Sequence, residues 1–182
     1  MALVTPLYKN KGSPTDMNNY RGISTLTPVG KIFEKILATQ MTIHFNVCNL
    51  FFSGQHGFRS DHSCETALHE LISILNDAKN NKLIALLLLI DFRKAFDLVD
   101  SNLLLIKLFH YGFSNKALSL IKDYFTDRSQ SVKLSDMYST IRNVLLGTPQ
   151  GSVLGPLFFI IFINDLAYLL ADLICFNGQN VR

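Results

Sequence analysis

The amino-acid sequence predicts an α+β fold, and three observations carry the prediction. Apolar residues recur at helical spacing over 29–45 and again after Ser63, an unbroken apolar octet runs from Leu83 to Ile90, and alternating stretches flank a polar turn near Asp136. At 182 residues the chain is long enough for one or two lobes with a real core. Apolar residues make up 48% and charged ones 17%, which excludes a disordered, highly charged chain.

Residues 5–28 are rich in proline, glycine and polar clusters and read as loops with one short strand. From Val29 the stripe Ile32, Phe33, Ile36, Leu37 and Met41 predicts an amphipathic helix to about Phe45. The stretch "FFSGQHGFRSDHS" is a glycine-punctuated loop. Ser63 then caps a helix whose buried stripe is Ala67, Leu68, Leu71, Ile72, Leu75 and Ala78, closed by "KNNK". The octet Leu83–Ile90 fits a strand covered on both faces, a reading its short length and turn-rich left flank favour over a buried helix. Asp100 or Ser101 starts the next helix, which ends at Gly112. Ser114 starts another with Ala117, Leu120, Ile121, Tyr124 and Phe125 on one face. Residues 129–146 predict a hairpin, and Ser152 caps a last helix to roughly Leu170.

The net charge of +3 hides an asymmetry: residues 1–60 hold Lys9, Lys11, Arg21, Lys31, Lys35 and Arg59 against Asp16 and Glu34. Such an excess suits a phosphate-bearing partner and equally an ordinary solvated surface. Cys48, Cys64 and Cys175 occur singly, a usage that suggests no disulfide framework or zinc site and suits a reducing, intracellular setting, nuclear or cytoplasmic. The first residues lack the apolar core of a secretion signal. Asn164, Asp165 and Asp172 interrupt the most apolar window, so a buried helix is expected there and no membrane partner.

Asp91 ends the apolar octet, and a carboxylate at the mouth of a doubly covered strand is held rigidly where α/β folds build sites. The plain alternative, a turn cap or a pair with Arg93 or Lys94, stays open on this residue alone. "GTPQGS" sets two glycines, a proline and a capping serine before a helix, so backbone amides can approach a flat or anionic ligand, and Gln150 adds an amide that both donates and accepts. Taken alone, many ligand-free turns look the same.

Four segments, "NNYRGISTLTPVGKIFEKIL", "GQHGFRS", "IDFRKAFDLVD" and "GTPQGSVLGPLFFIIFINDL", in this order, closely resemble the reverse transcriptases of non-LTR (LINE-type) retrotransposons. The resemblance runs from about Pro6 to Leu166. It implies fingers and part of the palm of a right-hand polymerase: a fingers-like region at 1–80 and a partial palm at 81–182, with the 129–146 hairpin open to either side. It implies Asp91 as the catalytic metal ligand and the carbonyl of Phe92 as a second ligand, in a site for two Mg²⁺ ions whose oxygen donors suit that hard cation. The family reaction is in-line attack of a primer 3′-hydroxyl on a nucleotide α-phosphate, with RNA template, DNA primer and dNTP as partners.

By the same resemblance Phe96 lies under the sugar and rejects a ribose 2′-hydroxyl, with core packing as its alternative. Arg21 and Lys9 reach the triphosphate, Gln150 and Gly151 line the nucleotide pocket, and Arg59, Gly151 and Ser152 face the template. Arg59 equally suits a solvated loop, and Asp97 and Asp100 read as turn or cap residues. The family's aromatic-Ala-Asp-Asp turn does not occur in these 182 residues, and Asp172 is a poor substitute. The expectation is therefore a truncated polymerase domain that lacks a complete metal site and depends on the remainder of that domain. The alternatives are a non-catalytic RNA- or DNA-binding remnant and a degenerate product without function.

Overall fold

The computed structural model describes residues 1–173, with side chains as far as Leu169. The chain forms two compact units, Met1–Leu50 with Lys94–Phe162, and Phe51–Arg93 with the described residues from Ile163.

The first unit holds a small mixed sheet. Strand β1 (Ala2–Tyr8) pairs antiparallel with β2 (Tyr20–Thr25), with Leu7 opposite Arg21 and the Tyr8 and Tyr20 rings 5.3 Å apart. On its other edge β1 runs parallel to β3 (Ser129–Leu134). Two short strands, β4 (Met137–Tyr138) and β5 (Arg142–Asn143), share the far edge of β3. The amino-terminal region thus contributes two strands rather than the expected one, because Asp16 caps the short turn Met17–Asn19 and folds the chain back on itself. The 129–146 segment forms the expected hairpin and adds a third strand.

Helix α1 (Pro28–Val47) starts at Thr27, whose hydroxyl accepts from Gly30 N–H, with proline in the first turn where its missing N–H costs nothing. Its buried positions are Glu34, Met41 and Phe45, whereas Ile32, Phe33 and Ile36 are exposed. The inward face is therefore rotated from the apolar stripe. Helix α3 (Ser101–His110) is capped by Asp100, which accepts from the amides of Asn102 and Leu103. It ends at Gly112 (φ +86°), where the Gly112 and Phe113 amides donate back to Phe109 and Leu108. Helix α4 (Asn115–Phe125) follows from its Ser114 cap. Phe45, Leu104, Leu108, Leu154, Phe158 and Ile161 form the dry centre of this unit.

In the second unit helix α2 (Cys64–Asn80) opens on a capping box between Ser63 and Thr66. His56 ties the preceding loop to it, bonded to Thr66 Oγ1 at 2.8 Å and Glu70 Oε2 at 2.7 Å. The expected burial of its apolar stripe does not occur: no α2 residue is buried, and Leu68, Ile72 and Leu75 are exposed. The expected strand at 83–90 is also absent. Residues 83–92 are irregular, with Ile84 96% and Leu86 82% exposed. A strand needs ladder partners, and no described residue pairs with this segment.

Helix α5 (Leu154–Leu173) follows "GTPQGS" as expected. No described helix is long and apolar enough to cross a membrane. Cys48 and Cys64 are free and exposed, while Cys175 and the Asp172 side chain lie outside the described residues.

Candidate nucleotide and template site

The loop Gly147–Ser152 gathers several of the expected residues. On one side it is stitched to the turn Ala95–Leu98: the Thr148 amide donates to Phe96 O at 2.9 Å, and the Gly147 amide donates to Val99 O at 2.8 Å. Gln150 Nε2 donates to Asp97 Oδ1 at 3.2 Å. On the other side the Ser24 amide of β2 donates to Gln150 O at 2.7 Å. Arg128 donates to Gly147 O at 2.6 Å, with its guanidinium 5.7 Å from the centre of the Phe125 ring. Thr148 Oγ1 is buried with no hydrogen-bond partner among the described residues.

Two glycines make this close packing possible. Gly147 (φ +81°) and Gly151 (φ +104°) adopt left-handed backbone, and a Cβ on Gly151 would meet Ser24 O at 2.9 Å. Ser152 is buried, and its hydroxyl accepts from the Gly155 amide at 2.9 Å as the cap of α5. Its side chain therefore serves the helix, and Gly151 is the exposed member of the pair.

Arg21 lies on β2, three residues before Ser24, and is exposed. The β1–β2 register continues one residue past Tyr8, with the Lys9 amide donating to Asn19 O at 2.8 Å. Lys9 and Arg21 are thus diagonal neighbours on one face of the hairpin, opposite the tyrosine pair. Lys9 Nζ donates to Asn18 O. Phe96 is half-buried and packs its ring 4.9 Å from that of Phe159 of α5. Asp100 is a helix cap, as its plain reading has it, whereas Asp97 does more by holding Gln150.

Three expected residues belong to the second unit. Arg59 donates to Phe52 O and Gln55 O at 3.3 Å each and lies 5.1 Å from the centre of the Phe51 ring, so it braces its own loop. Asp91 and Phe92 are exposed in the irregular segment, and no hydrogen bond or ion pair joins Asp91 to another described residue. A carboxylate and a backbone carbonyl are the hard oxygen donors that Mg²⁺ takes, so these two fit such an ion in kind. In number they fall short of an octahedral shell. Among the described residues no three His, Cys, Asp or Glu side chains come together as a metal cluster.

The family model for reverse transcriptase (RNA-dependent DNA polymerase) matches residues 8–177. The chain belongs to the reverse transcriptase family. Its relatives place it with the non-LTR retrotransposon type. It is 30% identical over 165 residues to the RNA-directed DNA polymerase from mobile element jockey of Drosophila melanogaster, covering 91% of this chain and 18% of that protein. It is 31% identical over 176 residues to a probable RNA-directed DNA polymerase from transposon BS of the same organism, covering 94% and 19%. A more distant likeness, 26% over 157 residues, is to a putative COX1/OXI3 intron 2 protein of Saccharomyces cerevisiae, covering 84% and 16%. The chain spans about a fifth of the length of the curated relatives it matches. A reverse transcriptase domain of α+β content with a small sheet fits both the relatives and the fold.

Sequence reasoning missed a polar cluster behind the loop of this reverse transcriptase domain. Glu34 is 3% exposed, and its carboxylate accepts from the Val153 amide at 2.6 Å and from Tyr124 Oη at 2.9 Å. The signal was present: Glu34 shares its helical phase with Met41 and Phe45, so a charge sits on the inward face. Burial first, and then the Glu34 carboxylate, push the Tyr124 phenol above its ordinary range. Burial also lowers the Arg128 guanidinium.

A folded-state pKa above the unfolded one favours the protonated phenol. The stability this supplies is full below about pH 10, the unfolded value, and is lost as pH rises toward the folded value. The phenolate absorbance that appears last, above the ordinary tyrosine range, should be missing in Tyr124→Phe. An unchanged alkaline titration would contradict it.

Proposed function

We propose that this chain is the template- and nucleotide-binding part of an RNA-directed DNA polymerase, comprising fingers and part of the palm, with RNA template, DNA primer and dNTP as its partners. One observation carries the reading: the loop Gly147–Ser152 is bonded at once to β2, which bears Arg21, and to the turn that bears Phe96. Arg21 and Lys9 together on one hairpin face present two cations to a triphosphate, and Arg offers the planar fork that suits phosphate oxygens. Gln150 and Gly151 offer an amide and bare backbone to a base pair, and Phe96 stands where a sugar would pass. Arg59 shapes the loop that would border the template.

Asp91 and the Phe92 carbonyl would hold Mg²⁺, which when bound neutralises charge at the reacting phosphate. The chain's own residues orient the nucleotide and exclude a 2′-hydroxyl. Because these 182 residues contain no aromatic-Ala-Asp-Asp motif, catalysis by them alone is impaired. A second reading, nucleic-acid binding without catalysis, is favoured by the exposure and irregular backbone around Asp91.

The test is primer extension on poly(rA)·oligo(dT) with dTTP and Mg²⁺, comparing the chain with Asp91→Ala. Binding without extension is expected of the chain alone. Extension that Asp91→Ala abolishes would overturn the claim of impairment. No binding by either would overturn the proposal.

A further inference from the structure

The polar cluster behind the loop has a shape that packing alone does not require. Three main-chain amides open helix α5 without partners inside the helix, as at any helix start. Ser152 Oγ takes the Gly155 amide at 2.9 Å, a local cap. The other two, Val153 and Leu154, donate to one oxygen of Glu34, at 2.6 and 3.4 Å, from a residue 119 and 120 positions earlier in the chain. The second oxygen accepts from Tyr124 Oη at 2.9 Å. Every contact of this buried group is an acceptor contact, as an ionised carboxylate requires. A buried carboxylate is costly unless so satisfied, and the positive end of the helix dipole favours it there.

The consequence lies in the loop. Gln150 O is held by the Ser24 amide at 2.7 Å, and the Val153 amide is held by Glu34, so the chain between them is pinned at both ends. Gly151, with φ +104° and no room for a Cβ against Ser24 O, lies inside that pinned span. We propose that Glu34 is a positioning residue for the template and nucleotide surface, clamping the start of α5 so that Gln150 and Gly151 keep the geometry a substrate meets. This deepens the function proposed above and rests on it.

Glu34→Leu keeps much of the side-chain volume and removes both acceptor oxygens. Tyr124→Phe removes one partner of Glu34 and leaves both amide contacts in place. Hydrogen exchange of the 147–154 amides and the affinity for poly(rA)·oligo(dT) would be measured for both variants and the parent chain.

In Glu34→Leu the loop amides should exchange at least about tenfold faster, the loss of about one hydrogen bond, while α3 and α4 keep their protection. Affinity should fall with them. Tyr124→Phe should leave loop exchange and affinity within about twofold of the parent. A purely structural role for the cluster would move both variants alike, and that result overturns the proposal. So does loop exchange unchanged in Glu34→Leu. A parent chain that binds no poly(rA)·oligo(dT) sinks the proposed function instead, and loop exchange then still decides whether Glu34 clamps the loop.

Discussion

Gly147→Ala is expected to destabilise the chain by more than about 2 kcal/mol. The residue sits at φ +81°, where an L side chain is strained, and its Cβ would lie 2.7 Å from both Cα and O of Asp97. Left-handed backbone costs alanine on the order of 1–2 kcal/mol. The clash adds to this, because the atoms in the way are backbone and cannot rotate aside. Relief requires the loop to move off Phe96 and Val99, which breaks the Thr148 and Gly147 amide bonds and strips Gln150 from Asp97. For a chain of this size the melting temperature should fall by roughly 4–8 °C. Gly57→Ala is the control, since its Cβ would meet only the Gln55 side-chain amide at 3.4 Å. Equal melting temperatures for Gly147→Ala and the parent would contradict the packing described.

The second large effect concerns self-association. Leu86, Leu88 and Leu89 are 82%, 74% and 82% exposed in a segment without charge or proline between Leu83 and Ile90. Such a segment presents unpaired backbone and apolar side chains together, a template for strand pairing with another copy. Burying a leucine is worth about 1.5–3 kcal/mol. The double change Leu86→Lys, Leu88→Lys should therefore lower the apparent association constant by at least about 100-fold. Light scattering after size-exclusion chromatography reads this directly. Association unchanged by both lysines would contradict a role for this segment in self-pairing.

The parts of the fold that could be read from sequence are those decided locally. Ser63, Asp100, Ser114 and Ser152 all cap the helices expected of them, and Gly112 ends α3, because a cap is made by atoms within a few residues. The octet at 83–90 failed as a strand because apolar composition specifies a buried segment without supplying the neighbour that buries it. The inward face of α1 departs from its apolar stripe for a related reason. Glu34 turns inward to partners in α4 and α5, and no local pattern names them.

The candidate site divides in the same way. "GTPQGS" and the Phe96 segment stand out as motifs, and the loop does fold onto that segment. The bond from Ser24 to Gln150 and the clamp by Glu34 are long-range pairings that composition and spacing do not encode. Arg59 is the reverse case. Its motif suggests a nucleic-acid contact, and its hydrogen bonds go to the carbonyls of Phe52 and Gln55.

The hairpin and loop of this reverse transcriptase domain, proposed above as a surface for primer–template and nucleotide, invite a binding measurement. Fluorescence anisotropy of a labelled poly(rA)·oligo(dT) duplex, titrated with the chain across a series of salt concentrations, tests the proposal most directly. Binding should weaken linearly in log–log salt, and Lys9→Ala with Arg21→Ala should leave duplex binding within about twofold while weakening the binding of dTTP to the duplex-bound chain by at least about tenfold. Absence of duplex binding at about 50 mM salt, or dTTP binding indifferent to Lys9 and Arg21, would contradict the proposal.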